Sequence, residues 1–344
     1  MEGLLEHPLE SLRTQKWFKL ICGASFQDLE VIRSLSLVYA LAGVDCLDVA
    51  ADPAVIEAVR ESLELAEVLA DQARERGYSY TGKPWLMVSL NDGEDIHFRK
   101  ASFNPQNCPA DCGRPCERIC PVNAINSDGV VKDKCYGCGR CIAVCPLNLI
   151  DSQSQPYVEP DLIFEQVEKG YVQAIEIHTQ VGHHLRFAEF WEKIRPNHAR
   201  LKLLAISCQE HPDAISYLQQ IYQQISPLEC PLLWQTDGRP MSGDIGKGTT
   251  HAAIAYAQRL RAVNLPGYIQ LAGGTNGYTV EKLKSLGMRH QISGVAYGSY
   301  ARSIVDDLLP RKIEPDGNRK WVPESIWQAV KIAHDLVAEF KQIH

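Results

Sequence analysis

Eight of the twelve cysteines crowd into one short stretch, which limits the fold more than any other feature of the chain. They form two runs, Cys108-x3-Cys112-x3-Cys116-x3-Cys120-Pro121 and Cys135-x2-Cys138-x2-Cys141-x3-Cys145-Pro146. The other four lie far apart and are interpreted as structural residues: Cys22, Cys46, Cys208 and Cys230. A disulfide framework would instead spread its cysteines through a small secreted domain. The dense clustering therefore indicates metal or cluster ligation.

The second run matches the bacterial ferredoxin pattern C-x2-C-x2-C-x3-C-P, in which the fourth cysteine ligates the other cluster of a pair. The chain is therefore expected to carry two [4Fe–4S] clusters. The predicted ligand sets are Cys108, Cys112, Cys116 and Cys145 for cluster 1, and Cys135, Cys138, Cys141 and Cys120 for cluster 2. Two structural zinc sites of four cysteines each are the alternative, although zinc modules usually pair two C-x2-C knuckles across a longer gap.

The first run departs from the ferredoxin pattern, because its loops have three residues where two are usual. A looser loop predicts a more exposed first cluster, which can lose an iron on oxidation and become [3Fe–4S]. Between the two runs, residues 123–125 and 130–131 are expected to pair as a short hairpin through Ser127, Asp128 and Gly129.

Short apolar runs alternate with helical patterns along the rest of the chain. Eight of them are interpreted as buried strands: 17–23, 44–50, 85–90, 173–178, 201–207, 232–236, 268–272 and 293–297. This alternation predicts a parallel sheet covered by helices, and the number eight favours a closed (β/α)8 barrel. An open, doubly wound α/β sheet with the same insert is the alternative.

The cysteine block stands where the third helix of the alternation is expected, so it is interpreted as an insert. The predicted organisation is a first barrel part (1–92), a ferredoxin-like α+β insert (93–156), a second barrel part (157–310) and a C-terminal extension (311–344). Residues 324–340 have the pattern of an amphipathic helix with Ile326, Val330, Val337 and Phe340 on one face. The insert follows the third strand and is expected over the carboxyl-end mouth of the barrel.

Two glycine-rich turns follow the last two predicted strands. In (β/α)8 enzymes phosphate groups often bind at these loops, which makes Gly273, Gly274, Thr275, Asn276, Gly298 and Ser299 a candidate anion site. Ordinary helix-opening turns use the same residue types and are an equal alternative. The loop after the sixth strand is either a lid that carries Arg239 and Lys247 towards an anion or a solvated loop. No acid–base pair stands out, so catalytic residues are not assigned.

Charge and hydropathy limit the partners. The net charge is −7 without a basic stripe, which argues against nucleic acid. No apolar run reaches the length of about 18 residues that suggests a membrane span. The first residues also lack the basic and apolar regions of a signal peptide, so a cytoplasmic location is expected.

The cysteine block and four further segments carry a resemblance to a known family. These segments are WFKLICGASFQDL (17–29), DVAADPAVI (48–56), QLAGGTNGYTV (270–280) and GVAYGSYAR (294–302). Together they resemble the light-dependent period proteins of cyanobacteria, which are iron–sulfur proteins of the circadian clock input. The resemblance covers nearly the whole chain. It implies that the chain reports cellular redox state to clock proteins and associates with them.

Two functions follow as hypotheses. In the first, the chain is a regulatory redox sensor. Its clusters detect the redox state, its surface passes the signal to a partner, and a quinone-like molecule or a nucleotide is a further ligand. In the second, it is a ferredoxin-like electron-transfer oxidoreductase that acts on a flavin or another phosphate-bearing ligand at the barrel mouth. The family resemblance favours the sensor, and whether the chain is an enzyme stays open.

Overall fold

Eight of the strands in this computed structural model close into a parallel barrel, as the (β/α)8 interpretation predicts. The structure describes residues 7–23, 29–93, 99–109, 111–120, 123–131, 135, 140–154, 159–238, 246, 248–310 and 322–341. The strands are β1 Trp17–Gly23, β2 Cys46–Ala50, β3 Trp85–Asn91, β4 Arg99–Ser102, β5 Ile125–Asn126, β6 Gly129–Val130, β7 Asp151–Ser154, β8 Ala174–Thr179, β9 Leu203–Gln209, β10 Leu232–Asp237, β11 Tyr268–Ala272 and β12 Gly294–Tyr297.

The order around the barrel is β1-β12-β11-β10-β9-β8-β3-β2. The first strand pairs with the last, with Trp17 opposite Gly294. The sheet therefore has no free edge, which excludes the open doubly wound alternative. The helices are α1 His7–Arg13, α2 Leu29–Leu41, α3 Pro53–Val68, α4 Ala70–Glu75, α5 Pro115–Ile119, α6 Arg140–Val144, α7 Pro160–Glu168, α8 His184–Ile194, α9 Ala214–Ile225, α10 Thr250–Ala262, α11 Thr279–Ser285, α12 Ser299–Ser303 and α13 Glu324–Lys341.

The main core lies between the barrel and its helices. Side chains alternate along each strand, so Phe18 and Leu20 of β1 point outwards into this layer and are fully buried. The C-terminal helix α13 packs on α2 and β1. Its Phe340 ring meets Phe18 edge-on at a centroid distance of 6.4 Å, and Lys341 Nζ lies 2.8 Å from Asp45 Oδ1. The apolar face predicted for this helix is thus buried against the barrel.

A second, smaller core fills the amino-terminal end of the barrel interior. Trp17 and Trp85 pack edge-on there, 6.0 Å apart between ring centroids, above Leu203 and Leu233. Helix α1 contributes Leu12 to the same cluster. This end of the barrel is therefore closed by apolar side chains.

The insert joins the barrel at the opposite, carboxyl-terminal end, because the chain leaves it after β3 and returns to α7. Its base is an antiparallel ribbon of β4 and β7, in which Arg99 faces Ser154. The hairpin predicted between the cysteine runs is confirmed as β5 and β6, with Ile125 opposite Val130. Among the described helices, none combines the length and the apolar character that a bilayer crossing requires.

Candidate iron–sulfur centre and barrel mouth

The first cysteine run ends in a tight corner at Cys120. Asn123 takes the left-handed conformation (φ 50°), which asparagine tolerates better than most residues. This turn brings the backbone N–H of Ala124 to the Cys120 sulfur, with an N···S distance of 3.2 Å. Backbone N–H groups that donate to sulfur stabilise a thiolate and tune the potential of any cluster bound to it.

The second run ends in the same corner, although the two runs differ in spacing. Asn148 has φ 51°, and the backbone N–H of Leu149 donates to Cys145 Sγ at 3.3 Å. Burial opposes ionisation of this thiol, but the surrounding backbone N–H groups, led by that of Leu149, outweigh it and lower the pKa of Cys145. The insert therefore has two equivalent corners, in each of which a left-handed asparagine precedes the backbone N–H that donates to the last sulfur of the run.

Cysteines of both runs form part of the core of the insert. Helices α5 and α6 carry Cys116 and Cys141 and pack against each other. Cys116, Cys135 and Cys141 are buried in one apolar cluster, and burial raises the pKa of the Cys116 thiol. Ala101 also donates its backbone N–H to Cys135 Sγ at 3.4 Å. Apolar neighbours of this cluster are Ala101, Ala124, Ile125 and Ile150.

The loop of the first run is more exposed. Cys108 and Cys112 are only half-buried and lie outside that apolar cluster. Arg114, at φ 46°, forms an ion pair with Glu117 at 2.6 Å and lies near the Cys108 and Cys116 thiols. The structure describes seven of the eight predicted ligands, none of them in a disulfide, whereas Cys138 lies outside the described residues.

The donor set fits an iron–sulfur cluster. Thiolates that accept backbone N–H bonds inside an apolar shell are the ordinary surroundings of an iron–sulfur cube. Among the described residues, no group of three or more His, Cys, Asp or Glu is arranged to hold a single metal ion. A cube spreads its ligands farther apart than one ion does, since each sulfur binds a different iron.

At the barrel mouth, the turn after β11 is held by its own hydrogen bonds. Thr275 Oγ1 donates to the Ala296 carbonyl at 2.6 Å, and Asn276 Nδ2 donates to Thr249 Oγ1 at 2.9 Å. Gly274 has φ +115°, and a Cβ there would lie 2.5 Å from the Thr249 carbonyl oxygen. These contacts give the turn a structural role.

The other residues of the candidate anion site are less enclosed. Gly273, Gly274 and Gly298 are half-buried, and Ser299 is exposed. The anion site therefore stays a prediction. Its partly exposed backbone groups are those of Gly273, Gly274, Gly298 and Ser299. Arg239 and Lys247, the cations of the suggested lid, lie outside the described residues.

The interior of the barrel contains charged residues that the sequence interpretation missed. Lys19 is fully buried, with its Nζ 3.0 Å from Asp48 Oδ2 and also bonded to Glu176. Burial disfavours the ammonium, but the two carboxylates outweigh it and raise the pKa of Lys19. The available signal was a single charged residue in each of three buried strands, WFKLICG, CLDVA and AIEIHT.

A second missed pair lies where the insert begins. Asp92, just after β3, accepts hydrogen bonds from Thr179 Oγ1 and from His183 Nδ1, the latter at 2.8 Å. Burial raises the pKa of this carboxyl. Because Thr179 ends β8 and His183 precedes α8, these bonds fix the root of the insert to the barrel.

Comparison with known proteins places this geometry in a family. Residues 108–156 match the LdpA Fe-S cluster-binding domain, and residues 166–339 match the Light dependent period A C-terminal domain. The chain is 48% identical over 340 residues to Light dependent period A of Synechococcus elongatus, covering 97% of this chain and 94% of that protein.

Two shorter similarities involve the iron–sulfur subunits of other proteins. The chain is 39% identical over 62 residues to a putative iron–sulfur subunit of dimethyl sulfoxide reductase from Halobacterium salinarum, which is 17% of this chain and 24% of that protein. It is 35% identical over 65 residues to the formate dehydrogenase iron–sulfur subunit of Wolinella succinogenes, which is 17% of this chain and 31% of that protein. The chain is an iron–sulfur protein, and it belongs to the light-dependent period A family.

Proposed function

We propose that the chain is a redox sensor that reports the redox state of a cyanobacterial cell to the circadian clock. The observation that carries this proposal is the pair of equivalent corners at Cys120 and Cys145, each with a backbone N–H on its sulfur. Such a pair suits two clusters that exchange electrons. Family membership supports the clock as the destination of the signal.

The proposed cofactors are two [4Fe–4S] clusters with crossed fourth ligands. Cluster 1 takes Cys108, Cys112, Cys116 and Cys145, and cluster 2 takes Cys135, Cys138, Cys141 and Cys120. The half-buried Cys108 and Cys112 support a first cluster that is more accessible to oxidants and that converts to [3Fe–4S] first. This accessible cluster is the proposed detector.

The proposed partners are clock proteins, bound in the cytoplasm. A test in a cyanobacterial host compares the free-running period at several light intensities for the wild type, Cys112→Ser and Cys230→Ser. Loss of the light dependence in Cys112→Ser alone is the expected result. Cys230→Ser is a matched control because Cys230 lies at the foot of β10, far from the insert in the chain. An unchanged period response in Cys112→Ser, with cluster 1 shown to be lost, would contradict the proposal.

A second candidate function is electron transfer to a flavin or another phosphate-bearing ligand, held by the backbone of Gly273, Gly274, Gly298 and Ser299. The half-buried glycines at this rim favour it, since backbone N–H groups can approach an anion there. Absorbance of protein purified without oxygen distinguishes the two functions, because the visible spectrum of a bound flavin has a shape unlike that of a cluster. Flavin in stoichiometric amount would favour the oxidoreductase.

A further inference from the structure

The upper half of the barrel interior holds a group of polar side chains, here called the axial cluster. Its members come from four different strands: Lys19, Asp48, Glu176, Gln235 and Asp237. Below them, the apolar layer around Trp17 and Trp85 closes the barrel. A small molecule therefore approaches the axial cluster from the carboxyl-end face, where (β/α)8 barrels bind their ligands.

The ammonium of Lys19 is already paired with two carboxylates. Its ammonium bonds to Asp48 and Glu176, and the other oxygen of Asp48 accepts a hydrogen bond from Ser89 Oγ at 2.7 Å. The fold does not require these charges, because the interior layers of such barrels are usually filled by branched apolar residues. Burying several charges in this place costs free energy, which a binding role explains.

Asp237 adds a third carboxylate without adding a counter-charge. It accepts hydrogen bonds from Ser207 Oγ and from Gln235 Nε2, the latter at 3.2 Å, and both donors are neutral. Within the described part of the chain no cation forms an ion pair with it. The residue ends β10, at the carboxyl-end mouth, and is partly exposed.

His178 supplies an independent observation at the same place. Its Nε2 atom is buried and makes no hydrogen bond among the described residues, although it lies 3.3 Å from Glu176 Oε1. Gln235 Nε2 donates to Glu176 Oε1 at 2.8 Å and also to Asp237. The amide of Gln235 therefore lies between the two carboxylates. The His178 side chain as a whole is 31% exposed, although its Nε2 atom is not.

We propose that the barrel mouth is a binding site for a small organic cation, an amine or a guanidine, held by Asp237, Glu176 and His178. An ammonium group offers three hydrogen-bond donors, which match the three acceptors. It also balances the excess of three carboxylates over one lysine. Burial raises the pKa of both Glu176 and Asp237, and a bound cation relieves that cost by favouring their charged forms. This site is distinct from the clusters and from the candidate anion rim.

Calorimetric titration of the full-length, cluster-loaded protein tests the proposal. The probes are butane-1,4-diamine and succinate, which have the same length and opposite charge, together with inorganic phosphate. Saturable binding of the diamine alone is expected. Asp237→Asn should weaken it by at least tenfold, since the amide keeps the size of the side chain and one accepting oxygen but loses the charge. Asp335→Asn, on the exposed face of α13, is the matched control and should bind as the wild type does.

The outcomes separate clearly. Absence of saturable diamine binding up to about 10 mM, a range that includes weak ligands, would overturn the site. Binding of succinate or phosphate that Asp237→Asn alters would overturn the assigned charge. Equal loss in Asp237→Asn and Asp335→Asn would show a general surface effect and would also overturn it. Thermal unfolding of each variant checks that it is folded before it is titrated.

Discussion

The backbone nitrogen of Leu149 lies 3.3 Å from the Cys145 sulfur, and it is the same kind of donor that Ala124 presents to Cys120. In both corners an asparagine with a left-handed backbone, Asn148 or Asn123, makes the approach possible. The two corners belong to different cysteine runs. Their equivalence supports the proposal that the last cysteine of each run binds the cluster of the other run. Substitution of either cysteine tests this crossed assignment.

Cys120→Ser should disturb the cluster of the second run, and Cys145→Ser should disturb that of the first, because each fourth ligand crosses to the other cube. Electron paramagnetic resonance of the reduced proteins, with iron and sulfide analysis, measures which cluster is altered. Cys208→Ser serves as the control, since Cys208 is buried in the barrel wall. Damage confined to each residue's own run would contradict the crossed assignment.

The left-handed turn at Asn148 should be needed for cluster retention. Asn148→Val places a β-branched residue at positive φ, which costs about 1–3 kcal/mol, whereas Asn148→Gly keeps the conformation. Iron content after anaerobic gel filtration should fall in Asn148→Val and stay near the wild-type value in Asn148→Gly. Equal retention in both variants would show that the turn does not govern the corner.

The buried lysine should be essential for stability. Lys19→Met leaves Asp48 and Glu176 facing each other without a cation, and breaking a buried pair typically costs about 3–5 kcal/mol. The free energy of unfolding in urea should fall accordingly. Lys331→Met removes an exposed lysine paired with Asp335 and should leave the free energy of unfolding unchanged. A Lys19→Met variant as stable as the wild type would show that Asp48 and Glu176 do not need the lysine as a counter-charge.

Iron removal should separate the cysteines into two chemical classes. Burial raises the pKa of Cys22 and Cys208 to about 12 and that of Cys230 to about 11, and it raises the pKa of Cys46 as well. Alkylation requires the thiolate, so these four should stay unmodified by iodoacetamide at pH 8 in the folded chain.

Once a chelator has removed the iron, the eight cysteines of the insert should react, because the core that buries Cys116, Cys135 and Cys141 is expected to open when the clusters are lost. Mass spectrometry of the digested protein would show their modification. The expected count is therefore eight modified cysteines in the chelated protein and twelve after unfolding in urea. Modification of Cys208 or Cys22 in the folded, chelated protein would mean that the barrel opens when the clusters are lost.

The pattern of apolar runs was sufficient to predict the barrel. Each run is buried on both faces, as parallel strands are, and the segments between the runs contain glycine, asparagine or proline. The hairpin between the cysteine runs was predictable for the same local reason, since Asp128 and Gly129 favour a tight turn. Both predictions depend only on residues that are close together in the chain.

The axial cluster was not predictable in this way. Lys19 and Glu176 lie 157 positions apart, and their contact depends on the register with which eight strands close into a ring. Asp92 and His183 likewise meet because β3 and β8 are neighbours, although the whole insert separates them in the chain. A single charged residue in an apolar strand was the visible signal, and it does not specify its partner.

The ribbon of β4 and β7 has a consequence for the history of this chain. Arg99 pairs with Ser154, so the insert begins and ends side by side, while β3 and β8 pair directly with each other beneath it. A segment with adjoining ends can be gained or lost without breaking the hydrogen bonds of its host. The iron–sulfur insert and the barrel could thus have separate evolutionary origins. An ancestor with an intact barrel and no iron, joined directly from β3 to α7, is compatible with every strand pairing described here.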